Sequence, residues 1–132
     1  MVLKKGSIDT SALLINPEKH ELMTASYFAD MGKNIVFIRP SNLPEIYRPD
    51  IIMDGVEWEI KSPIGNVRKS IIRNFQKAAK QSRYIIFDLR RIALDEKQCI
   101  SILEREFEAR KHVRKLLVIC KDETLLKYEK GS

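Results

Sequence analysis

The chain has 132 residues, of which 44% are apolar and 32% charged, and a net charge of +6. That length suffices for one domain with a core of its own and needs no disulfide or structural zinc. No apolar run approaches the roughly 20 residues of a membrane-spanning helix, and Lys4, Lys5 and Gly6 lead into polar sequence rather than the apolar stretch of a signal peptide.

In chain order, a first helix is expected over 17–31. Asn16 is the expected N-cap, Pro17 occupies the first helical position, and Gly32 closes the C-terminal end. Leu22, Ala25, Tyr27, Phe28 and Met31 include the three- and four-residue spacings of an amphipathic face. A buried strand is expected over 34–39, then a loop over 41–48 marked by Pro40 and Pro44. Strands over 50–54 and 56–61 flank Asp54-Gly55, a two-residue hairpin turn. After Ser62-Pro63-Ile64-Gly65, a second helix is expected over 67–81, capped by Asn66, with Val67, Ile71, Phe75 and Ala78 on its apolar side. A strand over 83–89, a helix over 95–111 with Ile100, Leu103 and Phe107 inward, and a strand over 115–120 complete the pattern. The polar tail from Lys121 is expected to fray or form a short helix.

The order α-β-β-β-α-β-α-β, with continuous apolar strands beside helices, indicates an α/β fold with a central mixed sheet flanked by helices. A single domain over 1–132 is expected, with its core at about 17–91 and accessory elements over 92–132. Cys99 and Cys120 are far apart in apolar settings and read as buried thiols. Neither they nor His20 and His112 have zinc-ligand spacing.

The charge is unevenly spread. Residues 61–91 hold nine Lys/Arg against one acid, Asp88, whereas residues 1–60 hold six bases and nine acids. A positive field concentrated on one segment suits a polyanionic partner. Arg68, Lys69, Arg73, Lys77 and Lys80 of the second helix are the candidate phosphate contacts.

Chemistry concentrates between Pro49 and Lys61. Strand side chains alternate, so Glu57, Glu59 and Lys61 share one face and Trp58 takes the other, toward the core. The hairpin is expected to bring Asp50 toward Glu59. Hard carboxylate oxygens hold Mg²⁺ or Mn²⁺ while leaving room for water and phosphate, and a bound ion activates water and offsets phosphate charge. Lys61 is placed to assist the attacking water and stabilise the developing charge. Glu57 is a supporting candidate, and Asp54 belongs to its turn. His20 points away from Glu21 and reads as a partly exposed surface group.

Pro49-Asp50 followed after eight residues by Glu59-Ile60-Lys61 resembles the signature of PD-(D/E)XK, restriction-endonuclease-like, nucleases. The α-β-β-β-α-β order is similar to that fold's core. The resemblance implies Asp50, Glu59 and Lys61 as catalytic residues, with Glu21 of the first helix completing a metal site of Asp50, Glu59 and Glu21. It also implies a polar helix residue near the site, Gln76 or Gln81. The Q-x-x-x-Y element of the RecB-like branch is absent, because Gln81 and Tyr84 are three residues apart.

More narrowly, PDIIMDGVEWEIKSP, IIRNFQKAAKQS and IIFDLRR resemble the C-terminal toxin domains of contact-dependent growth inhibition (CdiA-type) proteins, which include tRNA-cleaving members. That resemblance implies a magnesium-dependent RNase, with manganese or zinc as other metals, acting on tRNA in a bacterial cytoplasm. It further implies a cognate immunity protein and delivery as part of a secreted or cell-surface parent. A DNA endonuclease with the same site and a non-catalytic nucleic-acid-binding module are the competing readings.

Overall fold

The computed structural model describes residues 4–131, and the chain divides into two compact units, one ending at Trp58 and the other beginning at Glu59. The elements are β1 (Ser7–Asp9), α1 (Lys19–Asp30), β2 (Asn34–Phe37), β3 (Ile51–Met53), β4 (Val56–Lys61), α2 (Arg68–Gln81), β5 (Tyr84–Asp88), α3 (Glu96–Ala109), β6 (Lys115–Ile119) and β7 (Leu125–Glu129). The expected α-β-β-β-α-β order is present from α1 to β5, and the class is mixed α/β.

In the first unit β1 runs parallel to β2, and β2 runs antiparallel to β3 with Val36 opposite Ile52. The β3–β4 hairpin closes through Asp54 and Gly55, both at positive φ (55° and 77°), as expected from that dipeptide. Lys33 holds the Asp54 carboxylate at 2.9 Å, so Asp54 serves its turn. Ala25 and Phe28 of α1 are buried, as are Ile35, Phe37, Ile51, Met53 and Trp58 of the strands. Trp58 keeps its indole N–H satisfied by donating to the Met53 carbonyl at 3.0 Å.

Strand β1 was not expected, since Ile8 is its one apolar residue. Its pairing depends on Gly6, where a Cβ would fall 1.7 Å from the Lys33 carbonyl oxygen. The start of α1 also differs from expectation. The N-cap is Glu18, with Asn16 and Pro17 outside the helix, because Glu18 and Glu21 cap the first turn themselves. Gly32 follows the last turn at φ +92°, the left-handed position that expectation gave it.

In the second unit the last three residues of β4 pair with β5 in parallel, β5 with β6 in parallel, and β6 with β7 in antiparallel. Helices α2 and α3 bury Ile71, Phe75, Ala78, Cys99, Leu103 and Phe107 in one cluster with Phe87 and Val118. The rings of Phe75 and Phe87 stack with centroids 5.9 Å apart. Cys99 and Cys120 are both buried free thiols. Helix α2 begins one residue later than expected. Its N-cap is Val67, not Asn66, and Val67 is 54% exposed rather than part of the apolar face.

The tail beyond Lys121 forms strand β7 rather than fraying or turning helical. Glu123 at φ 70° and the Asp122 carboxylate, which accepts from Thr124 N–H, turn the chain back along β6. Leu126 and Tyr128, two residues apart, then pack against the second unit's core. The period-two signal was there in Leu126-Lys127-Tyr128, but it is too short to stand out among charges.

Candidate active site

In the first unit the acids of interest come from the first turn of α1 and the residue before β3. Asp50 lies outside the strand bounds yet is pinned on both sides. Its amide donates to the Trp58 carbonyl at 3.0 Å, and its carbonyl accepts from Ile38 N–H at 2.9 Å. Glu21 is half-buried, and one of its oxygens accepts from Glu18 N–H at 3.0 Å. Burial pushes the Glu21 carboxyl up to about 7, and the Asp50 charge and a carboxyl–carboxyl hydrogen bond to Asp50 push the same way, against the lowering effect of the Glu18 amide. The two acids present hard oxygen donors close together, so the pair fits a hard divalent cation.

Both acids line a cavity of about 890 Å³ that also takes in Arg39, Arg48 and the apolar side chains of Leu13 and Ile46. His20 sits apart from it, with Nδ1 3.5 Å from Glu18.

In the second unit Glu59 is only 5% exposed. Lys61, two residues on, places Nζ 3.4 Å from Glu59 Oε2. The Gln81 side-chain amide, turned so that its nitrogen faces the carboxylate, donates to both Glu59 oxygens, at 3.1 Å to Oε1. Strand alternation thus sets the acid and the amine on one face, and the last residue of α2 supplies a donor from a second element. Of the two glutamines weighed from the sequence, Gln81 meets Glu59. Gln76 is exposed and lines a separate notch with Lys80, Arg110 and His112. Glu57, on the part of β4 that belongs to the first unit, is exposed opposite Ile52.

The basic segment separates into two groups. Arg68, Lys69, Arg73, Lys77 and Lys80 are all exposed on α2, opposite its buried Ile71, Phe75 and Ala78. Arg90 and Arg91 are committed internally. Arg90 forks onto the buried Asp88 carboxylate at 2.9 and 2.7 Å, and Arg91 donates to the Ser62 hydroxyl at 3.0 Å. Sequence reasoning missed this use of the IIFDLRR stretch. The only available signal was Asp88, the lone acid among nine bases.

Among the described residues no group of three or more His, Cys, Asp and Glu side chains stands close enough to hold a metal ion as the side chains lie. Among the described residues no helix is long and apolar enough to cross a membrane.

The chain is 19% identical to a solved structure described as the CdiA-CT/CdiI toxin and immunity complex from Burkholderia pseudomallei, with a TM-score of 0.60 over 95% of this chain and 100% of that one. At that identity the likeness is one of fold. No curated protein matches the chain. The model of the contact-dependent growth inhibition CdiA C-terminal domain matches residues 47–125, well over half of the chain and the stretch that holds Asp50, Glu59, Lys61 and the α2 basic row. The chain therefore belongs to the CdiA C-terminal toxin domain family.

Proposed function

We propose that the chain is a metal-dependent nuclease of the PD-(D/E)XK type that cleaves RNA, with tRNA as its substrate. The observation that carries the reading is the Glu21–Asp50 pair of hydrogen-bonded carboxyls on the wall of a cavity that also contains two arginines. A pair of that kind costs stability if it serves only the fold, and it suits a cation-dependent reaction. Glu21 and Asp50 are the proposed oxygen ligands of the first unit, and Glu59 is the proposed acid of the second. When bound, Mg²⁺ would lower the pKa of water and neutralise phosphate charge. The chain's own groups do the rest. Lys61, held at Glu59, orients water and offsets charge growing on the phosphate oxygens. Gln81 keeps the Glu59 carboxylate in one orientation, and the α2 cations neutralise the strand's backbone.

The choice of RNA rests on family membership together with the resemblance to tRNA-cleaving members. On this reading the chain acts in a bacterial cytoplasm after delivery by a secreted or cell-surface parent. By analogy with the Burkholderia complex, a cognate immunity protein blocks it.

The test is incubation of the purified chain with total tRNA and with plasmid DNA, in Mg²⁺ and in EDTA. Cleavage of tRNA with Mg²⁺ alone is expected. Cleavage confined to plasmid moves the chain to DNA endonucleases, and no cleavage of either removes the nuclease.

A further inference from the structure

A second cationic surface lies where α3 gives way to β6. Residues 110–115 contain Arg110, Lys111, Arg114 and Lys115 together with His112, and no acid. Two contacts fix this turn against the end of α2. The Arg114 amide donates to the Arg83 carbonyl at 2.8 Å, and His112 Nε2 meets the Ala79 carbonyl at 2.9 Å. A carbonyl only accepts, so Nε2 carries the hydrogen. Between the two elements is a notch of about 300 Å³ lined by Gln76, Ala79, Lys80, Arg110 and His112, with no carboxylate in its wall.

Part of the local charge is already in use. Lys130 donates to the Phe107 carbonyl at 2.6 Å, and Arg114 reaches the Lys130 and Gly131 carbonyls. Arg110 pairs with Glu106 at 3.1 Å, yet its Nε is buried with no hydrogen-bond partner among the described residues. Lys80 and Lys111 are exposed and pair with no carboxylate among the described residues. An amide, an ammonium, a guanidinium and an imidazole therefore line one concave surface. With Arg110 paired to Glu106, Lys80 is the notch cation that has no carboxylate partner among the described residues, and a cation so placed favours an anion.

We propose that this notch binds a backbone phosphate of the nucleic-acid strand on which the chain acts. The inference rests on the nuclease reading for the identity of the ligand. It extends the binding surface from the α2 row to Arg110, Lys111 and His112.

The experiment uses the full chain carrying Glu59→Gln, so that substrate stays intact, and a fluorescein-labelled single-stranded RNA followed by anisotropy across a salt series. Adding Lys80→Ala, Lys111→Ala and His112→Ala together should weaken binding about tenfold or more. It should also flatten the salt slope by about 0.7 for each lysine removed. Lys97→Ala, on an exposed position of α3, should change neither. If the triple variant unfolds, the single change Lys80→Glu, at an exposed residue of the notch wall, provides the same reading. Unchanged affinity and slope overturn the notch as a nucleic-acid site and redirect it to an acidic protein partner. Binding lost with the notch while the wild type cuts no nucleic acid keeps the notch and removes the nuclease. Cleavage by the wild type with binding indifferent to the notch does the reverse.

Discussion

Lys61 Nζ stands 3.4 Å from Glu59 Oε2, two residues back along the same strand, and Gln81 of α2 donates to that same carboxylate. The amine is thus held by the acid it is proposed to work beside, and the acid is held in turn by a neutral amide. Glu59→Gln keeps a hydrogen-bonding group of the same shape. It should leave the thermal midpoint nearly unchanged while lowering RNA turnover at least about 100-fold. Retained turnover in a single-turnover assay would remove Glu59 from the chemistry.

Lys61→Ala carries two expected effects that must be read separately. It removes the proposed assistant, for a loss of about 100-fold or more in turnover. It also takes the ammonium away from a buried Glu59, which costs on the order of 3 kcal/mol. Turnover should be measured at a temperature where circular dichroism shows the variant folded. Lys61→Arg should recover much of the stability, because it restores the charge, and little of the rate. A rate recovered in parallel with stability would make Lys61 a structural partner only.

Gln81→Glu sets a second carboxylate against Glu59. Like charges in a buried setting favour protonation, so activity should fall about tenfold at pH 7 and partly recover at higher pH. Gln81→Ala should lower turnover by less, since Lys61 still holds Glu59. Equal and small losses in the two variants would mean that the amide contact is incidental.

Glu21 provides a pH-dependent test of the carboxyl pair. Its carboxyl titrates near 7 in the folded chain against an ordinary value of 4.5. Between those values the folded state keeps a proton that the unfolded state releases, so this group's contribution to stability falls as pH rises from about 4.5 to 7. In urea unfolding, Glu21→Gln should therefore lose less stability than the wild type between pH 5 and pH 8. Gln at this position can still cap the helix. Mg²⁺ should raise the wild-type midpoint more at pH 8 than at pH 5.5, because protons compete for the same oxygens. A Mg²⁺ effect of equal size in Glu21→Gln would take Glu21 out of the ligand set.

Gly6→Ala addresses the fold alone. The added Cβ would fall 1.7 Å from the Lys33 carbonyl oxygen, so β1 and β2 must separate. The expected cost is at least about 2 kcal/mol, measured as a lower denaturant midpoint, with the catalytic rate of the folded fraction preserved.

Much of this chain was legible from local pattern. The Asp54-Gly55 hairpin, the inward face of α2 after Val67, and the apolar runs of β5 and β6 depend on backbone preference and period, which neighbours in sequence suffice to specify. The pairing of Glu59 with Lys61 follows from the same period of two. Strand β1, the capping of α1 by Glu18 and Glu21, and the return of β7 were not legible. In each, few residues carry the signal, and the stabilising partner lies elsewhere or competes with a more familiar cap. Nor did the chain order distinguish arginines that serve the core from those left on the surface. Arg90 looks like Lys80 until Asp88 is seen to need it.

By itself, then, the sequence determined which residue types carry the chemistry and the periodic elements that present them, because periodicity and turn preference act over a few residues. Tertiary structure alone decided that Gln81 and not Gln76 meets Glu59, and that Glu21 meets the Asp50 carboxyl. It also decided that Arg110 and His112 join Lys80 around one notch. Those relationships depend on burial and on groups brought together from distant parts of the chain. A carboxyl's affinity for a proton, or a cation's need for an anion, is set by that surrounding dielectric and charge.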